Sequence, residues 1–356
     1  MRRRVFPSVF IGKFACGITI LFLAQFAAAQ FDSSMPYAGD PRDTRFVSVK
    51  EDWATPALSS SSLKPVQPLV SDISSHPDEY HTELIRLQWR FDDPIDLYVL
   101  KPSGVKNPPV VLFLYSYPSE TDIFRNEAWQ KAATKGGFAA VGFMTAMTGH
   151  RYQDRPVTEW FVSELQECLA VSAHDVQMVL NYLAQRGDLD MDRVGLVGEG
   201  SGASVGILAS AVDPRIKALD VLDPWGDWPT WMAKSPFVPD DERANFVKPE
   251  YLKKVAALDP VDWLPKIQAK KFRLQDATFH DETPASIHAK LRSAVPAGAA
   301  IVTYNTMKEY AAAVTNNQQM DWMYQQLRAL PDPKAGTAVA AEHSNAKSGG
   351  NGPSNR

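Results

Sequence analysis

Cysteine is nearly absent from this chain: Cys16 and Cys168 are the two it has in 356 residues. Cys16 lies in an N-terminal apolar segment, so removal of that segment leaves Cys168 alone and excludes an internal disulfide. No Cys/His group has the short spacing of a zinc site, so neither a metal nor a cofactor is expected. Cys168, inside LQECLAVSAHD, reads as a buried small hydrophobe. Positive charge is not in excess either. Net charge is −4, with 37 Lys and Arg against 41 Asp and Glu and no basic block. That removes the electrostatic footprint of nucleic-acid binding. The apolar run IGKFACGITILFLAQF, from residue 11, is interrupted by Lys13 and Gln25 and is short for a membrane span.

That run has another use. Arg2, Arg3 and Arg4 precede it and Ala27, Ala28 and Ala29 follow it, the pattern of a cleaved export signal over residues 1–29. The alternative is an N-terminal anchor, which the short run and the adjoining small-residue site disfavour. Cys16 does not sit in a lipidation motif, so export without a stable membrane anchor is expected, to the periplasm or the exterior.

Composition of the whole chain is that of a globular protein, 45% hydrophobic and 22% charged. Residues 30–75, with SSSSLKPVQP, read as an extended or disordered linker, and 332–356 as a low-complexity tail. Residues 76–331 make one domain. HTELIRLQWRF and PIDLYVLKP, across Asp92–Asp93–Pro94, form a hairpin. PPVVLFLYSYP is continuous enough for a strand buried on both faces. Helical stretches FRNEAWQKAATKGG, VSELQECLAVSAHDVQMVLNYLAQRG and GASVGILASAV alternate with strands FAAVGFMTA, RVGLVG and IKALDVLDP. KKFRLQDA and AAIVTYN add two strands and NNQQMDWMYQQLRAL a final helix. The expected fold is α/β, a mostly parallel sheet with helices on both faces and an antiparallel hairpin at the start.

One stretch carries the chemical question. VGLVGEGSGAS, residues 194–204, is a strand turning on glycines into a helix. HDVQMVLNYLAQRGDLDMDRVGLVGEGSGAS, together with LDPVDWLPKI and HDETP, resembles the dienelactone-hydrolase and acetyl-xylan-esterase-like branch of the α/β-hydrolase superfamily over roughly residues 78 to 328. The resemblance implies a nucleophile elbow of pattern G-x-S-x-G, a histidine base, an acid and two amides for an oxyanion.

Against that pattern Gly198 and Gly202 match, but Gly200 stands at the nucleophile. Ser201 comes one residue late, as a displaced nucleophile or as a residue whose hydroxyl caps the helix start. The acid position, four residues before Pro284, holds His280; the adjacent Asp281 either fills the role or caps the helix that follows. No histidine occurs between His288 and His343, so the loop after the last strand lacks the base; His150 is the fallback. Where the family often carries His-Gly, this chain has Tyr115-Ser116-Tyr117-Pro118.

A binding role has its own candidates. DPWGDWPTWM spaces Trp225, Trp228 and Trp231 three residues apart where the family forms its pocket, and Tyr115 and Ser201 face the same place by the resemblance. Indoles suit a carbohydrate or an aromatic ester; packed as core, they plug the pocket. The reading is an exported hydrolase-fold protein without hydrolytic activity. Its rivals are a live esterase using Ser201 with Asp281 and His150, and a protein-interaction module on the same scaffold.

Overall fold

A computed structural model describes residues 51–58, 66–90, 93–116, 121–147, 161–280 and 282–330. The expected signal segment and tail, His150 and Asp281 lie outside them. The sheet order among these residues is β1 (Val66–Asp72), β2 (Tyr80–Gln88), β3 (Ile95–Pro102), β5 (Ala139–Phe143), β4 (Pro109–Leu114), β6 (Asp190–Glu199), β7 (Ile216–Leu222), β8 (Lys271–Ala277), β9 (Ala300–Tyr304). Pairs β1–β2, β2–β3 and β3–β5 are antiparallel, and every pair from β5 through β4 to β9 is parallel. The anticipated α/β class and leading hairpin are both present.

Strand β4 shows why the continuous apolar run is central. Val110, Leu112 and Leu114 join one hydrophobic cluster and Val111 and Phe113 the other, because successive side chains leave opposite faces. The first cluster is covered by α2 (Leu165–Arg186) and α3 (Ser201–Val212), the second by α1 (Glu127–Thr134) and the chain's last described helix, over 318–328. Helix α2 stops at Gly187, whose φ of 74° is the left-handed turn a glycine takes freely. Between β7 and β8 come short helices α4 (Trp228–Lys234), α5 (Arg243–Phe246), α6 (Pro249–Val255) and α7 (Pro260–Trp263). Helices α8 (Ala285–Ala294), α9 (Met307–Thr315) and α10 (Gln318–Arg328) complete the domain.

The expected linker needs correction, because two pieces of 30–75 are structured parts of the domain. Strand β1 pairs with β2, and residues 51–58 are bound to α2 by polar contacts. The Leu58 amide donates to Gln177 Oε1 at 3.0 Å, and Gln177 Nε2 donates to the Pro56 carbonyl at 2.8 Å. The Glu51 carboxylate receives Arg90 and His174 Nδ1, while His174 Nε2 donates to the Thr55 carbonyl. The α2 partners lie more than a hundred residues along the chain and Arg90 lies 39 away, so local composition does not reveal them. His174 is thus a buried structural residue.

Burial alone would raise the Glu51 carboxyl, but hydrogen bonds from His174 and Arg90 outweigh it and lower its pKa from 4.5 to about 2. Its folded pKa lies below its unfolded one, so the stabilisation is complete above pH 4.5 and is lost as pH falls toward 2. At 9% side-chain exposure little solvent screening applies. The shift corresponds to stability on the order of 3 kcal/mol. Glu51→Gln should therefore lower the melting temperature at pH 7, and the gap from wild type should close as pH is lowered below 4.5. A gap unchanged between neutral and acid pH would show that the Glu51 charge contributes nothing.

Candidate functional site

The elbow lies where β6 turns into α3. Gly200 has φ 52° and ψ −116°, outside the comfortable range of a side-chain-bearing residue. Its amide donates to the Leu222 carbonyl at 2.9 Å, tying the turn to the end of β7. The flanking glycines are there for contact. A Cβ on Gly198 would come within 2.6 Å of Ala203 Cα, and one on Gly202 within 2.3 Å of the Leu114 carbonyl oxygen. Both neighbours are backbone, so a helix can leave the strand this tightly only with glycine at each place. The tight strand-to-helix turn expected over residues 194–204 is present.

What sits on the elbow is another residue's side chain. A Cβ on Gly200 would meet Ser116 Oγ at 2.2 Å and Ser116 Cβ at 2.7 Å, with Trp225 Nε1 at 3.4 Å. Ser116, from the segment after β4, therefore fills the volume a nucleophilic side chain would use. The Ser201 amide, placed where the family's oxyanion donor is expected, donates to Ser116 Oγ at 3.4 Å.

Ser201 itself is fully buried in the first turn of α3. The cap position belongs to Gly200 and no side chain caps the helix, so the expectation that the Ser201 hydroxyl serves as a cap is corrected. The reason is geometric: the elbow's odd backbone angles fall one residue earlier.

On the acid side, His280 stands after β8 and its Nδ1 is 3.2 Å from Asp223 Oδ2. Asp223 follows β7 with φ 47°, and its amide donates to the Gln275 carbonyl at 2.8 Å. The bond to Asp223 is the main influence on His280 and raises its pKa. Burial pushes the neighbouring Glu199 up to about 7, with the charge of His280 opposing. The elbow is thus flanked by an imidazole–carboxylate pair and a carboxyl poised to gain or lose a proton near neutrality. His280 had been noted only as occupying an acid's place; Asp223 and Glu199 carry no local signal that marks them.

Among the described residues the segment after β9 holds no histidine. Helix α9 starts almost directly after β9, with Thr306 as its cap accepting from the Glu309 amide. From α9, Tyr310 packs its ring 6.0 Å from Phe279 and 6.1 Å from His280. The ring beside His280 is thus a tyrosine from this segment.

The supposed binding wall is core. Trp225, Trp228 and Trp231 are each 0% exposed. Trp225 lies 5.0 Å from Trp231 and 4.9 Å from Phe237, ring to ring, and Trp228 meets Trp231 edge-on at 5.8 Å. Trp228 Nε1 donates to the Leu258 carbonyl at 3.2 Å and its amide to Asp259 Oδ2 at 2.9 Å. Trp225, Trp228 and Ser201 are therefore corrected as ligand-facing residues: the short helices after β7 fold over the indoles and leave them no free face. Tyr115 is half-buried, and its hydroxyl accepts from Trp129 Nε1. Burial raises the pKa of that hydroxyl, leaving it neutral.

No family model matches the chain, and no curated protein matches it. Solved structures do. An acetyl xylan esterase from Paenibacillus sp. R4 superposes with a TM-score of 0.57 at 14% identity, over 72% of this chain and 89% of that one. Acetyl xylan esterase 1 from Thermoanaerobacterium sp. gives 0.57 at 14% identity, over 73% and 89%. A 2,6-dihydroxy-pseudo-oxynicotine hydrolase gives 0.51 at 21% identity, over 71% and 69%. At such identities the likeness establishes the fold.

Proposed function

We propose that this chain, an α/β hydrolase by fold, has given up serine-hydrolase catalysis while keeping the scaffold. One observation carries the reading: the volume above Gly200 is filled by the Ser116 side chain, and the amide next to it already donates to the Ser116 hydroxyl. A serine hydroxyl is a poor nucleophile at neutral pH unless a base takes its proton, and an oxyanion donor is useful only if it can turn to the substrate. Ser201 lies off the elbow within a helix, and the segment after β9 carries no histidine among the described residues. Because triad members act as a unit, what remains cannot be a slower version of the same site.

A fluorophosphonate probe tests this without knowledge of the natural substrate, since it reports any activated serine. Wild type should label no more than a heat-treated control and should not turn over p-nitrophenyl acetate. Labelling that peptide mapping places on Ser201 or Ser116, and that Ser201→Ala or Ser116→Ala removes, would overturn the proposal. Using exported material adds a reading of the signal segment, because the mature chain should begin at or near Gln30.

A further inference from the structure

We propose that Asp223, Asp276 and His288 form a binding site for one divalent metal ion of the zinc class, at the C-terminal ends of β7 and β8 beside the elbow. The three come from separate elements: Asp223 follows β7, Asp276 is the penultimate residue of β8, and His288 lies on α8. All three are buried, and one donor atom from each lies within 4.8 Å of the others. The proposal concerns a different group of residues from the elbow and stands whether or not serine chemistry is present.

Asp223 supplies the observation that points to an ion. It is 4% exposed and its Oδ1 has no hydrogen-bond partner. The nearest imidazole nitrogen, His288 Nδ1, is 3.7 Å away, beyond a hydrogen bond. A buried carboxylate oxygen without a donor is costly, and its presence calls for a reason. In the structure His288 Nδ1 is bonded instead to Asp276 Oδ1. A single proton on that nitrogen satisfies one carboxylate oxygen and leaves the other bare. A metal ion can satisfy both oxygens and the nitrogen together.

The remaining polar atom of each donor residue is already held. Asp223 Oδ2 faces His280 Nδ1 at 3.2 Å, and Asp276 Oδ2 receives the Arg292 guanidinium. His288 Nε2 faces the Thr283 carbonyl at 3.1 Å. A carbonyl only accepts, so Nε2 carries a hydrogen; an entering metal ion would displace the Nδ1 proton now shared with Asp276, leaving a neutral ring whose Nδ1 lone pair faces the ion. Outer partners of this kind fix the orientation of metal ligands. Binding would replace the direct contact between His288 and Asp276 with ligation of both. One imidazole nitrogen with two carboxylate oxygens suits zinc better than calcium or magnesium, which favour all-oxygen sites. Three protein donors leave a coordination position open to a small ligand.

The test uses the full chain, stripped with a chelator and titrated with Zn2+. Equilibrium dialysis should find one ion per chain. The melting temperature should rise by about 5 °C at roughly a hundredfold excess over Kd. Ca2+ and Mg2+ at the same concentration should give no rise. Asp223→Asn and His288→Gln should each abolish stoichiometric binding and the rise. Absence of binding in wild type would overturn the proposal and make the cluster an internal ion network. Binding that persists in both variants would overturn it as surface chelation, and an equal response to Ca2+ would overturn the assigned class. Should the variants not fold, Co2+ added to wild type decides. Visible ligand-field bands that one equivalent of Zn2+ removes support the site, and their absence sinks it.

Discussion

Gly200→Ser is expected to destabilise the protein and to restore nothing. The new Cβ would lie 2.2 Å from Ser116 Oγ and 2.7 Å from Ser116 Cβ, distances that force Ser116 to move within a nearly closed site. Overpacking of this kind costs about 1–3 kcal/mol, and a side chain at positive φ adds roughly 1–2 kcal/mol. A total loss of about 2–5 kcal/mol should show in the denaturant midpoint. Ser116→Gly in the same background frees the volume and should return about 1–3 kcal/mol, the part owed to overpacking. The two changes should therefore couple strongly instead of adding. Neither variant should react with a fluorophosphonate, because the segment after β9 still carries no histidine to act as base. If Gly200→Ser alone matches wild type in stability, Ser116 yields without cost and does not seal the elbow.

The second large effect belongs to Trp228. Its ring is fully buried against Trp231, its indole nitrogen is bonded to Leu258, and its amide is held by Asp259. Trp228→Ala should cost about 3–5 kcal/mol, the range for removing a large aromatic from a packed interior. In wild type, tryptophan emission should not respond to a carbohydrate or an aromatic ester. A loss below about 1 kcal/mol with a ligand-dependent change in emission would return the indoles to a pocket wall.

The sequence was most informative where local chemistry decides local structure. Val110 to Leu114 had to be a doubly buried strand, and three glycines at 198, 200 and 202 had to mark a strand-to-helix turn. The vacancy at the nucleophile was equally plain. Its occupant was not, because Ser116 reaches Gly200 from 84 positions earlier. The same distance problem hid the Asp223–His280 pair, which joins the segments after β7 and β8. The tryptophan spacing was visible but ambiguous. Whether three indoles line a cleft or fill it depends on helices α4 to α7, whose docking is a tertiary fact.

The contacts of residues 51–58 and β1 bear on where this folded unit can be cut. A chain started at residue 76 would keep Arg90, Asp175 and His174 but lose Glu51, leaving interior cations short of a counter-charge. It would also bare the backbone of β2 from Glu83 to Gln88, turning a paired strand into the outermost one. Exposed regular strands template association with other chains, whereas short or irregular ones resist it. β1 is of the resistant sort, with a shift in register between Val66 and Leu69. The stretch whose composition reads as a linker is thus, in β1, a selvedge, the finished border that keeps the sheet from joining its neighbours.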